Sequence, residues 1–292
     1  SLKILFSPGD KVWIEDPQYP LLRAATRTQD IVPVFVPVDN EGFNLQKALE
    51  IDPTAKGVFL TPSHQCPLGM MTSIQRRRDI LQWASETGGW IVEDDYDSEL
   101  RYGGNLAYPS LQGMDSGNNV IYIGTFSKSL FPGLRLGYMV VPDDLVKAFS
   151  GMRFLIDRQS NEILQLSVAE FIKTGLYETH LLKMRRIFEA RRDYLIEAVS
   201  DNFGDWGKFI ATGQGMHKTF VFNNPDIDDE AVADLCRRQG VELRSISSFS
   251  MGRPLYKGLI MGFGHFPPAQ LLAAVSRIGF VLRDKFAAFG PA

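Results

Sequence analysis

Residues 119–137 read NVIYIGTFSKSLFPGLRLG, and this stretch decides the fold. Its apolar run at 120–123 predicts a short buried strand. GTFSK follows at 124–128, and a second apolar run begins just after Arg135. A strand that ends in hydroxyls and a lysine, with an arginine seven residues later, indicates a site for a cofactor that carries a phosphate.

The side chains of this stretch suit pyridoxal 5′-phosphate (PLP), which carries both an aldehyde and a phosphate. A lysine amine forms a Schiff base with an aldehyde once it has lost its proton, and burial and a neighbouring cation both favour that loss. Lys128 is the candidate amine, and Arg135 supplies the cation and a fork for the phosphate. Thr125 and Ser127 add hydroxyl donors. Each of these residues alone would be an ordinary turn or surface residue, and the combination is what favours the cofactor.

PLP also requires a carboxylate beside its ring nitrogen, so that the ring can accept electrons. The strand predicted at 90–92 runs into Glu93-Asp94-Asp95-Tyr96. Asp94 and Asp95 are adjacent, so they point to opposite faces of a strand and only one of them can meet the nitrogen. Tyr96 lies on the face of Asp94.

Three stretches resemble the fold-type-I PLP-dependent aminotransferase superfamily. More narrowly, they resemble the aminotransferase-like domain of MocR-type transcriptional regulators of the GntR superfamily. The stretches are TPSHQCPLG at 61–69, VEDDYDSELRY at 92–102 and YIGTFSKSLFPGLRLGY at 122–138, within a resemblance that runs from PGDKVWIEDPQYP to MGFGH. The resemblance implies PLP as cofactor and a site formed at a homodimer interface.

The resemblance also assigns roles within the site. It puts Asp94 at the ring nitrogen of the cofactor. This nitrogen is a cation when protonated, and beside it we expect the Asp94 carboxyl to keep a low pKa. Tyr96 is then placed to bond the phenolic oxygen of the cofactor. Tyr19 is expected to stack on the ring, and the alternative is a turn tyrosine packed on the core. His64 or Gln65 would replace the asparagine that binds the phenolic oxygen in ordinary aminotransferases.

One position departs from the family pattern. Ordinary aminotransferases hold the substrate carboxylate with an arginine near the C-terminus, and Ile260 stands at that position here. Arg244 is the candidate replacement, with Arg253 as a second choice, and a plain surface charge is the alternative for Arg244. His64 and Cys66 do not form a metal site, because no further ligand is near them in sequence.

The order of predicted elements indicates an α/β fold with a mostly parallel sheet and helices on both faces, followed by a smaller C-terminal α+β domain. The two prolines of the strand predicted at 31–38 suggest an edge position, Ser73 and Gly88 are expected to bound a helix over 74–86, and a further strand is predicted at 241–245. We place a large PLP-binding domain at 1–175 and the small domain at 176–292. The chain opens on Ser1 with what reads as the tail of a helix, so we expect an N-terminally truncated fragment. The resemblance implies that a glycine-rich phosphate loop and a winged helix-turn-helix domain would precede it.

Composition excludes several classes of protein. The net charge of −3 gives no general attraction to nucleic acid, so DNA contact is expected only through the missing N-terminal domain. The two cysteines suggest no disulfide framework and fit a reducing cytoplasm. No apolar run reaches the length of a membrane span.

Three functions follow from these features. The first is an effector-sensing domain of a MocR-type regulator, in which PLP on Lys128 responds to a small amino acid or amine. The second is a catalytic aminotransferase that acts on a small amino acid, with Lys128 also moving the proton. The third is a structural domain with a degenerate site, retained for dimerisation.

Overall fold

The computed structural model describes residues 1–103, 108–159, 161–210, 213–252 and 254–291. Two β-sheets organise these residues, and helices cover them. The strands are β1 (Lys11–Asp16), β2 (Val32–Pro37), β3 (Gly57–Leu60), β4 (Trp90–Asp95), β5 (Val120–Thr125), β6 (Gly137–Val140), β7 (Gly207–Ile210), β8 (His217–Phe222), β9 (Arg244–Ser245) and β10 (Gly258–Gly262). The α-helices are α1 (Leu2–Leu5), α2 (Pro20–Arg27), α3 (Leu45–Ile51), α4 (Ile74–Thr87), α5 (Leu111–Met114), α6 (Val146–Asp157), α7 (Glu162–Lys173), α8 (Leu176–Phe203), α9 (Asp229–Arg238) and α10 (Pro268–Lys285).

The first sheet has the strand order β2-β1-β3-β4-β5-β6. Strands β1 to β5 run parallel, and β6 pairs antiparallel with β5. The predicted α/β class with a mostly parallel sheet is therefore confirmed. Strand β2 lies at an edge, as its two prolines predict, because proline cannot donate to a second neighbour.

Both faces of this sheet are covered. Trp13 and Ile14 are neighbours in β1 and point to opposite faces, and both are fully buried. Trp13 packs in a core with residues of α3 and α4, such as Ala48 and Ile80. Ile14 packs in a second core, against which Leu22 of α2 and residues of α1 and α6 lie. The strands are apolar on both faces because helices cover both of them.

The second sheet is antiparallel, with the order β7-β8-β10-β9. It packs with α8, α9 and α10 around one apolar core. This is the expected smaller α+β unit, and the domain boundary between residues 175 and 176 remains a prediction. The strand predicted at 241–245 is shorter than expected, because only Arg244 and Ser245 pair with β10.

Helix α4 and one buried arginine shape the loop that follows β3. Ser73 caps α4 by accepting a hydrogen bond from the backbone N–H of Arg76, and Gly88 ends the helix in the left-handed region at φ 70°. Arg77 is fully buried and donates to three backbone carbonyls, those of Pro62, Thr72 and Pro109. The guanidinium thus holds residues 62–72 against the sheet.

Within the described ranges, no helix combines the length and the apolar character that crossing a membrane requires.

Candidate functional site

The polar motifs meet at one edge of the first sheet. Strands β1, β3, β4 and β5 are parallel, so their carboxyl ends lie at the same edge, where ligands bind in such sheets. A cavity of about 240 Å³ lies there. Its polar lining residues are Ser1, Glu15, Gln18, Tyr19, Thr61, Cys66 and Asp94. The structure therefore brings together two of the predicted residues, Tyr19 and Asp94.

Asp94 and Asp95 take opposite directions at the end of β4. The Asp94 carboxyl is open to the cavity. Asp95 is buried and accepts hydrogen bonds from the Tyr122 hydroxyl at 2.9 Å and from the Ser98 N–H at 3.2 Å. Asp95 thus serves the fold, and Asp94 is the carboxylate of the pair that is available to a ligand.

The low pKa predicted for Asp94 applies beside the cation of the cofactor ring and stays a prediction, whereas the protein surroundings alone act in the other direction. Removal from bulk water raises this pKa to about 6, and the negative charges of Asp95 and Asp97 add to the effect. The sequence could not show that three carboxylates crowd together at this strand end. Around neutral pH the Asp94 carboxyl is therefore easily protonated, and it is stabilised as an anion by a positively charged ligand.

Glu15 and Gln18 are site residues that the sequence reasoning missed. Each is buried and lines the cavity, and each has one side-chain oxygen, Oε1, without a hydrogen-bond partner in the described residues. The other Glu15 oxygen accepts from the Thr61 N–H at 3.0 Å and from the Thr61 hydroxyl at 2.7 Å. The sequence feature that could have identified Glu15 is its place directly after the buried apolar residues of β1.

Tyr19 lies at the first turn of α2 and lines the same cavity. Its ring is 46% exposed, so it is not packed into the core as the alternative interpretation requires. A ring at this position has a free face for an aromatic ligand. Stacking on a cofactor ring stays a prediction.

The loop at 61–69 uses Gln65 for its own structure. The Gln65 amide donates to the carbonyls of Pro17 and Cys66, at 2.8 and 2.9 Å, and its oxygen accepts from the Leu68 N–H at 3.1 Å. Gln65 is fully buried, and these bonds fix the turn. We therefore leave Gln65 out of the cofactor-binding set proposed below.

His64 and Tyr96 lie together beside the cavity, and neither belongs to its lining. His64 Nδ1 is 2.9 and 3.0 Å from the two carboxylate oxygens of Asp97 and 3.1 Å from the Tyr96 hydroxyl. Burial raises the pKa of Tyr96 well above its usual value, and the charge of Asp97 adds to that effect. Tyr96 thus keeps its hydroxyl proton at neutral pH.

The hydroxyls of the GTFSK motif face each other. Thr125 Oγ1 donates to Ser127 Oγ at 3.0 Å and accepts from the Ser127 N–H at 3.1 Å. The next residue, Lys128, is exposed, in contrast to the burial that we expected from the sequence. It follows the end of β5 in a turn, and its neighbour Ser129 takes the buried position by bonding to the Tyr177 hydroxyl.

Lys128 nevertheless lies within electrostatic reach of the loop at 61–69. Burial raises the pKa of the Cys66 thiol, so it stays protonated, and the Lys128 charge acts against that rise. The same charge helps to lower the pKa of His217. Within the described residues Lys128 forms neither a salt bridge nor a side-chain hydrogen bond, so its amine is available to a ligand.

Arg135 ends a single 3-10 turn formed by Pro132–Leu134. Its backbone is in the left-handed region at φ 50°, which a residue other than glycine rarely adopts. Such conformations are costly and concentrate at functional sites. The exposed side chain is therefore held by an unusual turn, seven residues after Lys128.

The candidate arginines for a carboxylate lie elsewhere. Arg244 is exposed on the short strand β9, with its guanidinium 5.8 Å from the centre of the Phe249 ring, and it does not line the cavity. Ile260 lies beside it in β10, half-buried. Arg253 falls outside the described residues. As for metals, no cluster of three or more His, Cys, Asp or Glu side chains suited to an ion occurs in the described parts of the chain.

Residues 1–260 match the sequence profile of the family described as aminotransferase class I and II. The chain belongs to this family. A solved structure with the same fold is the kynurenine aminotransferase of Pyrococcus horikoshii, at 26% identity and a TM-score of 0.88, with 97% of this chain and 71% of that chain covered. The family indicates PLP as the cofactor, as the sequence predicted.

Regulators are the more similar relatives in sequence. The HTH-type transcriptional regulator YdeL of Bacillus subtilis is 35% identical over 94% of this chain and 58% of its own length. The rhizopine catabolism regulatory protein MocR of Rhizobium meliloti, described as probable, is 33% identical over 94% of this chain and 55% of its own. This aminotransferase-family chain thus spans less than two thirds of the regulators that it resembles, as the predicted resemblance to MocR-type proteins requires.

The residues at the cavity fit PLP. A protonated pyridine nitrogen requires an acceptor in a partly dry setting, and Asp94 provides one, with the unpartnered oxygens of Glu15 and Gln18 in the same cavity. Tyr19 offers a ring face. Lys128 offers an amine at the neighbouring strand end.

Proposed function

We propose that this chain is the PLP-binding, effector-sensing domain of a MocR-type transcriptional regulator. The observation that carries the proposal is the pattern of similarity. Regulators match 94% of the chain at 33–35% identity, whereas the kynurenine aminotransferase with the same fold is 26% identical. DNA binding would belong to a domain outside these residues, since the chain itself carries a net charge of −3.

In this proposal Lys128 joins the cofactor aldehyde, and Asp94 holds the ring nitrogen. PLP, when bound, supplies an aldehyde carbon at which the amine of an effector can take the place of the Lys128 amine. Thr125, Ser127 and Arg135 bind the phosphate through hydroxyls and a guanidinium. The effector is a small amino acid or amine. Arg244 is a candidate for its carboxylate only if the second sheet moves, because this side chain does not line the cavity.

The first experiment is a visible absorption titration of the purified chain with PLP, followed by borohydride trapping and mass mapping of the modified peptide. We expect the label on Lys128, and Lys128→Ala should lose it while the circular dichroism spectrum is unchanged. Lys183→Ala, on the surface of α8, is a matched control that should keep the label. A label on another lysine would remove Lys128 from its role.

A catalytic aminotransferase is the second candidate, favoured by the TM-score of 0.88 to a solved enzyme. It predicts formation of a keto acid over many turnovers. A sensor is expected to stop after it has bound the amine. Ile260 favours the sensor, since an apolar side chain cannot replace an arginine that holds a carboxylate.

A homodimer completes the proposal. Helix α6 has no buried residue, and Leu155, Ile163 and Leu166 on α6 and α7 are each more than two thirds exposed. A concentration of exposed apolar side chains of this kind marks an interaction surface. We expect a dimer in analytical ultracentrifugation, and Ile163→Glu should shift it towards monomer. A wild-type chain that sediments as a monomer and binds PLP fully would contradict this assignment.

The two unpaired cysteines fit a cytoplasmic location.

A further inference from the structure

A buried cluster of polar rings lies beside the cavity, and the proposed cofactor chemistry does not account for it. His64 is only 3% exposed and lies next to the rings of Tyr96 and His217. Its ring centre is 5.7 Å from that of Tyr96 and 5.1 Å from that of His217, with interplanar angles of 27° and 29°. Burial and contact with two rings restrict the rotation of this histidine, so its hydrogen bonds keep their direction.

The bonds of His64 Nδ1 allow one assignment of protons. Both carboxylate oxygens of Asp97 lie within 3.0 Å of this nitrogen, and a carboxylate can only accept. Nδ1 must therefore carry the proton and donate it. The one proton of Nδ1 is directed at the carboxylate, so Nδ1 cannot accept the hydroxyl proton of Tyr96, whose oxygen lies 3.1 Å away. The hydroxyl proton of Tyr96 consequently cannot point at His64.

The second sheet helps to hold His64 in the position in which its Nδ1 donates to Asp97. His217 in β8 donates from Nε2 to the Pro67 carbonyl at 3.1 Å, and burial together with His64 lowers the pKa of His217 to about 4, so that it stays neutral. Gly215 comes close on another side, since a Cβ atom at this residue would lie 2.3 Å from His64 Cε1 and 2.7 Å from Asp97 Oδ2. Only glycine fits there, and its φ of 80° also favours glycine.

We propose that His64 is a positioning residue that sets the direction of the Tyr96 hydroxyl proton. Because its protonated Nδ1 cannot accept from Tyr96, His64 leaves the O–H of Tyr96 to donate into the site, towards the phenolic oxygen of the cofactor. This inference rests on the proposed function, because it takes Tyr96 to face bound PLP. In this proposal His64 acts on the cofactor through Tyr96, in place of the direct contact predicted from the sequence.

The first test needs no cofactor. In a chain with ¹⁵N-labelled histidine, NMR should show a proton on the His64 nitrogen Nδ1. The signals are assigned by comparison with His64→Asn. Asp97→Asn changes little volume and offers an amide donor to Nδ1, so it should move the proton to Nε2. A wild-type His64 with its proton on Nε2 would overturn the proposal.

The second test measures the midpoint pH of the absorption change of the lysine-bound cofactor. His64→Phe keeps the ring stack and removes the donor, so Tyr96 can turn its proton away from the cofactor. We expect the midpoint to rise by about one pH unit, the shift that corresponds to one lost hydrogen bond. Tyr96→Phe should give the same rise, and the double variant should give no more. His64→Asn, which places an amide N–H near the original Nδ1, should restore the wild-type midpoint.

The outcomes separate the two proposals. Several titratable groups face Tyr96 and His64, and all of them are present in both single variants: Glu15, Cys66, Asp94, Asp97, Lys128 and His217. If Tyr96→Phe shifts the midpoint and His64→Phe does not, the role of His64 is refuted and the cofactor site stands. If the chain takes up no PLP, the proposed function fails, and the NMR result alone decides the direction of the proton. If His64→Phe does not fold, His64→Leu replaces it, keeps all of these charged groups and should raise the midpoint equally.

Discussion

Glu15→Gln should change how the stability of the chain depends on pH. Glu15 is 3% exposed at the end of β1, and burial raises its pKa from 4.5 to about 7, with a small further rise from the charge of Asp94. The donors of Thr61 and the nearby Gln65 amide act in the opposite direction and do not cancel the effect of burial. Folding therefore favours the protonated carboxyl.

The direction and the size of this change in the free energy of unfolding follow from the linkage between proton binding and folding. Below pH 4.5 both the folded and the unfolded chain carry the proton, so the ionisation of Glu15 takes nothing from the free energy of unfolding. As pH rises from 4.5 to about 7 the unfolded chain loses the proton and the folded chain keeps it, so the free energy of unfolding falls. An interval of about 2.5 pH units at about 1.4 kcal/mol each amounts to about 3 kcal/mol, all of it lost by about pH 8.

The assay is urea unfolding of the cofactor-free chain between pH 4.5 and 8.5. The wild-type free energy of unfolding should fall relative to that of Glu15→Gln by about 3 kcal/mol across this range, because an amide does not titrate. Glu50→Gln, on the exposed surface of α3, is the control and should run parallel to the wild type. Parallel curves for wild type and Glu15→Gln would refute the reasoning.

Three further outcomes test other parts of the structure. Asp94→Asn should weaken PLP binding at least tenfold in a fluorescence titration, the effect of about 1.4 kcal/mol, whereas Asp95→Asn should change it little; the reverse order would show that the two faces of β4 are wrongly assigned. Arg77→Met should cost about 3–5 kcal/mol of stability in urea, because the carbonyls of Pro62, Thr72 and Pro109 lose a donor and the buried Glu93 carboxylate loses its cation at 3.7 Å, and a cost below about 1 kcal/mol would contradict that account. Gly258→Ala should cost about 3 kcal/mol or unfold the chain, since a Cβ atom would lie 1.9 Å from the Phe220 carbonyl oxygen, and an unchanged melting temperature would exclude this contact.

The sequence predicted the fold where one local signal determines an element. Apolar runs between turn residues gave the parallel strands, and the two prolines of β2 gave its place at the edge. Ser73 and Gly88 marked the ends of α4 correctly, because a cap and a left-handed glycine act within one turn of the helix. The strand expected at 241–245 was predicted too long, since pairing with β10 decides its length and no local residue does.

The site was harder to predict because its chemistry joins distant parts of the chain. Asp94 was expected to keep a low pKa beside the cofactor, whereas in the chain without a ligand removal from water raises this pKa and the charges of Asp95 and Asp97 add to the rise. Gln65 was chosen for its amide, but that amide donates to the Pro17 carbonyl, 48 residues away, and to the Cys66 carbonyl, and its oxygen accepts from the Leu68 N–H.

Glu15 and His64 both lie in stretches that resemble the family, but the sequence does not show which partners they bond. Glu15 bonds to Thr61, 46 residues away, and His64 bonds to Asp97, 33 residues away, so neither interaction has a sequence spacing to detect. Glu15 lines the same cavity as Asp94, and His64 contacts Tyr96. Residues that contact a ligand leave a pattern because the ligand fixes their chemistry, whereas residues that position those contacts are fixed only by the packed fold. Burial raises the pKa of both Glu15 and Asp94, so the pH dependence of the site follows from surroundings that the packed fold creates.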